Sequence, residues 1–336
     1  MNIYDISEQS GVSIATVSRV INNSGYVSEK TRKKVMAVIE KNSYSPNAFA
    51  RGMSTSSMKT IGILSTNIRD LYQAQCVYYL EQDLKKHGYT AMLCCTGDEL
   101  EAKKEHVELL ASRHVDALIF IGSHFIEKNE RDNGYIYAAS NHVPVFILNG
   151  RLTHDNIYSI LCDDEGGCQA LTASCLESGA TKPCFLATRD TYSVRQKFKG
   201  FQNACREAGI PVDEQTLFIL SDQTEELGRQ VFDLLQNGAF DAAVCADDEL
   251  AAIVERVAQY RGLDVPDDIR VTGYNDSIFS RLASPAITSF DNRAAYMCGQ
   301  AVMGLTQILG GSEFPEQTMY TGKVVARAST KSSRGV

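Results

Sequence analysis

From residue 61 to residue 288 the chain repeats one pattern, a short apolar run followed by a longer amphipathic stretch. The runs are IGIL, TAMLCC, ALIFI, VPVFIL, YSILC, PCFLA, TLFIL, AAVCA and IRVTGY. Between them lie stretches such as CVYYLEQDLKKHGY, KKEHVELLASRH, FKGFQNACREAG and ELAAIVERVAQYRG. Near-continuous apolar runs are strands buried on both faces, and their alternation with helices predicts parallel sheets covered by helices on both sides. Nine candidate strands are many for one small sheet, so the pattern predicts two doubly wound lobes around residues 61–175 and 180–288. No fixed-period repeat or low-complexity tract interrupts them, and the closing KSSRGV reads as a frayed tail.

The first 42 residues follow a different rule. IYDISEQSG places Ile3 and Ile6 on one helical face and stops at Gly11. SIATVSRVINN starts on Ser13 as N-cap and makes Val17, Val20 and Ile21 apolar, while SEKTRKKVMAVIEKN starts at Ser28 and lines up Val35, Val38 and Ile39. Three short helices, with a glycine-containing turn between the first two, have helix-turn-helix spacing. Charge divides the chain at the same place. Residues 1–60 carry +4 and the remainder −12, so only the head is suited to meet a polyanion. In a helix-turn-helix the start of the second helix reaches base edges. Here that means Ser13, Ile14, Ala15, Thr16 and Arg19, with Arg19 able to pair bidentately with guanine and Ile14 and Ala15 able to touch a thymine methyl. Tyr4, Ser18, Asn22, Tyr26 and Thr31 complete the expected contact set, the polar members suiting phosphate. A three-helix protein-interaction module is the alternative.

These residues carry a family resemblance. IYDISEQSGVSIATVSRVINNSGYVSEKTRKKVMAVIEKNSYSPNAFARGM resembles the DNA-binding head of the lac/gal repressor family, and the resemblance continues through IGIL, GFQNACREAG, CADDELA and DIRVTGYND. It implies a bacterial transcription regulator, a repressor that binds a palindromic operator as a homodimer. It also implies an α/β body of two periplasmic-binding-protein-like lobes with a small ligand, most often a sugar or sugar derivative, in the cleft. The implied domains are a helix-turn-helix over 1–45, a hinge helix over 46–58 and an effector-binding and dimerisation domain over 59–336. Three crossings would divide the latter into one lobe of about 59–175 and 289–317 and another of about 176–288 and 318–332. In YSPNAFARGM, the resemblance makes Met53 a minor-groove wedge where leucine is usual. It also implies that Asn47 and Ala50 face the groove and that Arg51 meets phosphate.

The same resemblance marks an effector site. Tyr72 offers a ring to stack on a sugar or base face, and Gln73 a hydrogen bond. Asp163 follows a strand, where it is as readily a helix cap. Lys197 stands where an arginine clamp is usual, with Ser193 and Arg195 nearby as substitutes or helpers. Asp247 replaces a usual asparagine, Asn275 a usual aspartate and Gln223 an aromatic seen in some members, so the pocket is polar. An amine-bearing ligand fits these residues as well as a polyol does.

Other classes find little support. Phosphate-loop, dinucleotide and H-E-x-x-H motifs are absent, and His87, His106, His114, His124, His142 and His154 are scattered without metal-ligand spacing, with only His124 placed to edge into a cleft. Asp163 and Asp247 are conceivable as a glycosidase pair, but nothing fixes their separation. We therefore expect no catalysis, metal or cofactor. The ten cysteines form no C-x-x-C pair and read as buried small hydrophobes. No signal-peptide-like N-terminus or long apolar segment appears, so a soluble, cytoplasmic protein is expected, with a solute receptor or sugar-acting enzyme as the rivals.

Overall fold

The computed structural model describes residues 2–21, 25–42, 57–213, 216–237 and 240–330. The head consists of α1 (Ile3–Ser10), α2 (Ile14–Ile21) and α3 (Glu29–Lys41). Asn2 caps α1 in a capping box with Asp5, and Gly11 ends it with a left-handed φ of 61° that L side chains rarely adopt. Ser28 caps α3, its hydroxyl accepting from the Thr31 amide. Ile6, Val17, Val20 and Val35 are buried together, so three helices too short to persist alone are held by one shared apolar cluster.

The body has two six-stranded sheets. The first contains β1 (Thr60–Ser65), β2 (Thr90–Cys95), β3 (Ala117–Ile121), β4 (Val145–Leu148), β5 (Ile157–Cys162) and β11 (Gln317–Tyr320), in the order β11-β5-β4-β3-β1-β2. The second contains β6 (Pro183–Ala187), β7 (Leu217–Ile219), β8 (Ala242–Cys245), β9 (Arg270–Tyr274), β10 (Thr288–Asp291) and β12 (Lys323–Val325), in the order β12-β10-β9-β8-β6-β7. All nine apolar runs are strands. Pairing in the second sheet is parallel except between β10 and β12, which run antiparallel.

Helices α4 (Leu71–Lys86), α5 (Leu100–Ser112), α6 (Gly134–Ser140) and α12 (Ala294–Leu309) belong to the first lobe. Helices α7 (Asp164–Glu177), α8 (Tyr192–Glu207), α9 (Thr224–Asn237), α10 (Asp248–Tyr260) and α11 (Ile278–Leu282) belong to the second. The expected lobe borders therefore move. Helix α7 packs on α8, β9 and β10, so the first lobe gives way near residue 163 rather than 175. Strand β10 pairs with β9 in the second sheet, and β11 pairs with β5 in the first, moving the borders at 288/289 and 317/318 as well. The contact that fixes α7 is close: a Cβ at Gly200 would lie 2.0 Å from the Glu165 carbonyl oxygen, so only glycine lets α8 approach α7 there. Within α12, Val302 and Leu305 are fully buried while Met303 is exposed, so the VMGLTQILG stretch serves mainly the core. Nine of the ten cysteines are buried and all are free thiols, and burial pushes those of Cys168 and Cys175 up to about 12.

Candidate functional site

In the head, the start of α2 presents a polar and apolar mixture outward. Ser13, Ile14, Ala15 and Arg19 are exposed and Thr16 is partly so, while Val17 and Val20 face inward. The Ser13 and Thr16 hydroxyls lie 3.0 Å apart and the Thr16 amide donates to Ser13 Oγ, so both side chains reinforce the first turn. Arg19 leans along Gly25, where a Cβ would meet its Cδ at 3.7 Å. Tyr4 and Tyr26 are exposed, at 66% and 91%, a waste of two aromatic rings unless something covers them. The Thr31 hydroxyl is engaged by Ser28 at 2.8 Å, and Ser18 is partly buried. Asn22, Asn47, Ala50, Arg51 and Met53 lie outside the described residues.

In the body, the two sheets point the carboxyl ends of their strands at a shared cleft, the usual ligand position in open α/β sheets. It holds a cavity of about 390 Å³ and an adjoining one of about 120 Å³. Six residues line both: Asp70, Tyr72, Thr188, Arg189, Asp247 and Asn275. Asp70 and Asp247 cap α4 and α10, accepting from the Gln73 and Leu250 amides at 2.9 and 2.8 Å. Burial pushes the Asp247 carboxyl above its ordinary range, and the Asp70 charge adds to the effect. Asn275, at a φ of 93°, has its Oδ1 engaged by Asn292 Nδ2 at 2.8 Å. Tyr72 lines both cavities, and its hydroxyl is buried beside the Cys76 and Cys298 thiols. Lys197 is only 6% exposed, donates to the Ala246 carbonyl at 2.8 Å and sits 3.8 Å from the centre of the Tyr274 ring.

Several expected ligand contacts have other work. Gln73 lines the smaller cavity but is buried, and its Oε1 accepts from Ser65 Oγ at 2.8 Å and the Thr66 amide at 2.9 Å, so it also holds the loop after β1. Arg195 is exposed and ion-paired with Asp190 at 3.0 Å, outside both cavities, because it lies two residues from Lys197 and so on another face of α8. Gln223 lines the larger cavity from an exposed loop. Asp163 lines neither; its Oδ1 accepts from the Gly166 amide at 2.9 Å as the cap of α7. The buried acid is its neighbour. Asp164 is 3% exposed and accepts from Asn149 Nδ2 at 3.0 Å, from Tyr274 Oη at 2.8 Å and from the Ser193 hydroxyl. Since Asn149 belongs to the first lobe and the other three to the second, this network staples the lobes at a crossing of the chain. Asn149 and Ser193 also line the smaller cavity.

Residues that sequence reasoning missed include Asp70, Asn149, Asp164 and Arg189. Asp70 carried a signal, since D-L-Y-Q has the form of a capping box. Arg189 pairs with Asp222 at 2.7 Å and, across the cleft, with Asp98. That contact holds the Asp98 carboxyl below its usual range together with the His124 hydrogen bond, the larger cause. Lys128 and Asp190 form a second bridge between lobes at 2.5 Å. His124 does edge into the smaller cavity. No group of three or more His, Cys, Asp or Glu among the described residues could hold a metal.

A small helix-turn-helix head and a two-lobed, ligand-sized cleft define a binding protein with two separate recognition surfaces. Residues 2–47 match the model of bacterial regulatory proteins of the lacI family, and residues 172–330 that of a periplasmic binding protein-like domain. An HTH-type transcriptional regulator of Lachnoclostridium phytofermentans is 38% identical over 98% of this chain and 99% of its own length. Catabolite control protein A of Staphylococcus epidermidis is 29% identical over 86% of each. Among solved structures, a lac repressor dimer bound to operator and an anti-inducer superimposes with a TM-score of 0.88 at 24% identity, covering 99% of both chains. A CelR–cellobiose complex gives 0.72 at 23% identity over 98% and 99%. The chain belongs to the lacI family of bacterial regulatory proteins and is a transcriptional regulator of the helix-turn-helix type. The relatives are regulators rather than enzymes, and no described helix is long and apolar enough to cross a membrane.

Proposed function

We propose that this regulator binds a palindromic operator as a cytoplasmic homodimer and represses from it, with its affinity set by a polyhydroxylated ligand, a sugar or sugar derivative, in the inter-lobe cleft. It acts by binding and not by catalysis. The observation that carries the ligand half is the cleft itself, where Asp247 and Asn275 at second-lobe strand ends and Lys197 on α8 line one cavity with Tyr72 of the first lobe. Carboxylate, amide and ammonium groups around an aromatic face are what a hydroxyl-rich ring needs for orientation. The operator half rests on the exposed Arg19 and its neighbours at the start of α2. Dimerisation is supported by the edge strand β2, which leaves Met92 and Leu93 exposed, and by Leu282, exposed at 76% on α11. Operator and effector then change each other's affinity by the same factor, because each binds one state of the lobes better.

The test uses a palindromic duplex selected from a randomised library, with fluorescence anisotropy at several salt concentrations. Affinity should fall with salt as phosphate contacts dictate. Arg19→Ala should cost roughly 1–3 kcal/mol, a loss of about 5- to 150-fold. Normal binding by Arg19→Ala would remove α2 from the role of recognition helix.

A further inference from the structure

The charges around the larger cavity narrow the ligand class, on the reading that the cleft is the effector site. Three carboxylates line it without an ion pair among the described residues: Asp70, Asp247 and Glu249. The other acids on that wall are engaged, Asp222 by Arg189 and Asp248 by the Ser277 amide and the Ser289 hydroxyl. Asp70 comes from the first lobe and Asp247 from the second. Each accepts through Oδ1 from its own helix, and neither has an ion pair among the described residues. The nearby cations neutralise them only in part: Arg189 already serves Asp98 and Asp222, Arg69 is exposed, and Lys197 acts on Asp247 from beyond ion-pair distance.

An independent feature lies in the adjoining smaller cavity, which Asp70 and Asp247 also line. Lys197 is more than nine-tenths buried, has no carboxylate within ion-pair distance and has spent one N–H on the Ala246 carbonyl. Its charge repels a second cation there, yet it can donate to a hydroxyl. The site thus has a negative jaw formed by both lobes and a buried donor behind it. A neutral sugar leaves the excess of carboxylates over cations uncompensated, and an acidic sugar adds a further negative charge to it. An ammonium group placed between the lobes offsets that excess. We propose that the effector is a cationic, amine-bearing polyol, an amino sugar or a glycoside of one, with its ammonium between Asp70 and Asp247 and its hydroxyls toward Lys197.

The experiment uses the full-length protein in thermal-shift and calorimetric titrations against matched ligands. The panel is glucosamine, glucose and glucuronate, their galactose-series counterparts, and deacetylated chitobiose against cellobiose. The amine-bearing members should stabilise the fold and bind at least tenfold tighter than their neutral partners. Asp70→Asn and Asp247→Asn should each reduce that preference at least tenfold while the helices persist, since asparagine caps as well as aspartate. Asp163→Asn, a cap outside the cavities, should leave it unchanged. If neutral or acidic members bind as tightly as the amines, the ligand class is overturned and the cleft reading stands. If no member binds and none alters operator affinity, both fall.

Discussion

Replacing Asp164 by asparagine keeps the shape of a side chain that joins the two lobes and changes only its chemistry. The carboxylate is 3% exposed and accepts three hydrogen bonds, from Asn149, Ser193 and Tyr274. An amide has one acceptor oxygen in place of two. If that oxygen keeps the Tyr274 hydroxyl, the new NH₂ group faces Asn149 Nδ2, and two donors meet. The Ser193 hydroxyl can rotate to accept, so one bond is lost outright and two are weakened from charged to neutral. Hydrogen bonds to charged groups contribute about 1.5–3 kcal/mol each against about 1 for neutral ones, so the variant should lose roughly 3 kcal/mol. Relief from burying a charge offsets a part of this. Urea unfolding at neutral pH measures the loss as a lower midpoint. The adjacent Asp163→Ala, which removes only a helix cap, should cost about 1 kcal/mol. A loss below 0.5 kcal/mol for Asp164→Asn, or a larger loss for Asp163→Ala, would refute the assignment of the staple to Asp164.

Three further outcomes follow from single side chains. Glu255 is 2% exposed with one oxygen lacking a partner among the described residues, and burial raises its carboxyl from 4.5 to about 7. The folded protein therefore holds this proton more tightly than the unfolded chain, and stability present below pH 4.5 is lost as pH rises to 7. Glu255→Gln should remove a decline on the order of 2 kcal/mol across that window; parallel pH profiles of melting temperature for parent and variant would rule this out. Arg189→Ala breaks the half-exposed bridge to Asp98, so stability should change by less than about 1 kcal/mol while the unliganded lobes open more often. Small-angle scattering should record a larger radius of gyration, and an unchanged one would show that the bridge does not restrain the lobes. Arg195→Ala should leave effector affinity within about twofold of the parent, since the side chain is outside the cavities; a tenfold loss by calorimetry would return it to the site.

What the sequence made legible, and what it did not, follows from the range of each signal. Seven of the nine strand runs were readable because burial on both faces writes an uninterrupted apolar stretch, while the more exposed β2 and β7 were readable from their apolar composition alone. Strands β10, β11 and β12 read TSFD, QTMY and KVV, too short and too polar to stand out, two of them at sheet edges. Helix α7 shows which face is apolar but not which sheet that face meets, and this is why the first lobe border came out near 175. Asp163 and Asp164 are both acids at one helix start, and one-dimensional spacing does not say which turns inward. Arg195 and Lys197 were separable, because Ser193, Lys197 and Gly200 share a helical face at spacings of four and three, and Arg195 falls off it. All three of those on-face residues are buried, as that periodicity requires.

The position of the staple bears on how a ligand is transmitted. A ligand shifts an equilibrium only by its different affinity for the two states, so tight binding that contacts both states equally changes nothing. Asn149 and Ser193 are at once members of the inter-lobe network and walls of the smaller cavity. A ligand group that hydrogen-bonds either one competes with Asp164 for the same donor, and its binding free energy depends on how the lobes are held. A ligand that touches only second-lobe groups, such as Glu249 and Asp247, lacks that dependence. Ligands of equal affinity should therefore divide into those that change operator binding and those that do not, according to whether they reach first-lobe groups such as Asn149 and Asp70. Asn149→Ala removes the shared donor and should leave such a ligand bound while reducing its effect on operator affinity several-fold. Anisotropy titrations of operator, with and without saturating ligand, measure the coupling directly; full coupling in Asn149→Ala would place transmission elsewhere in the cleft.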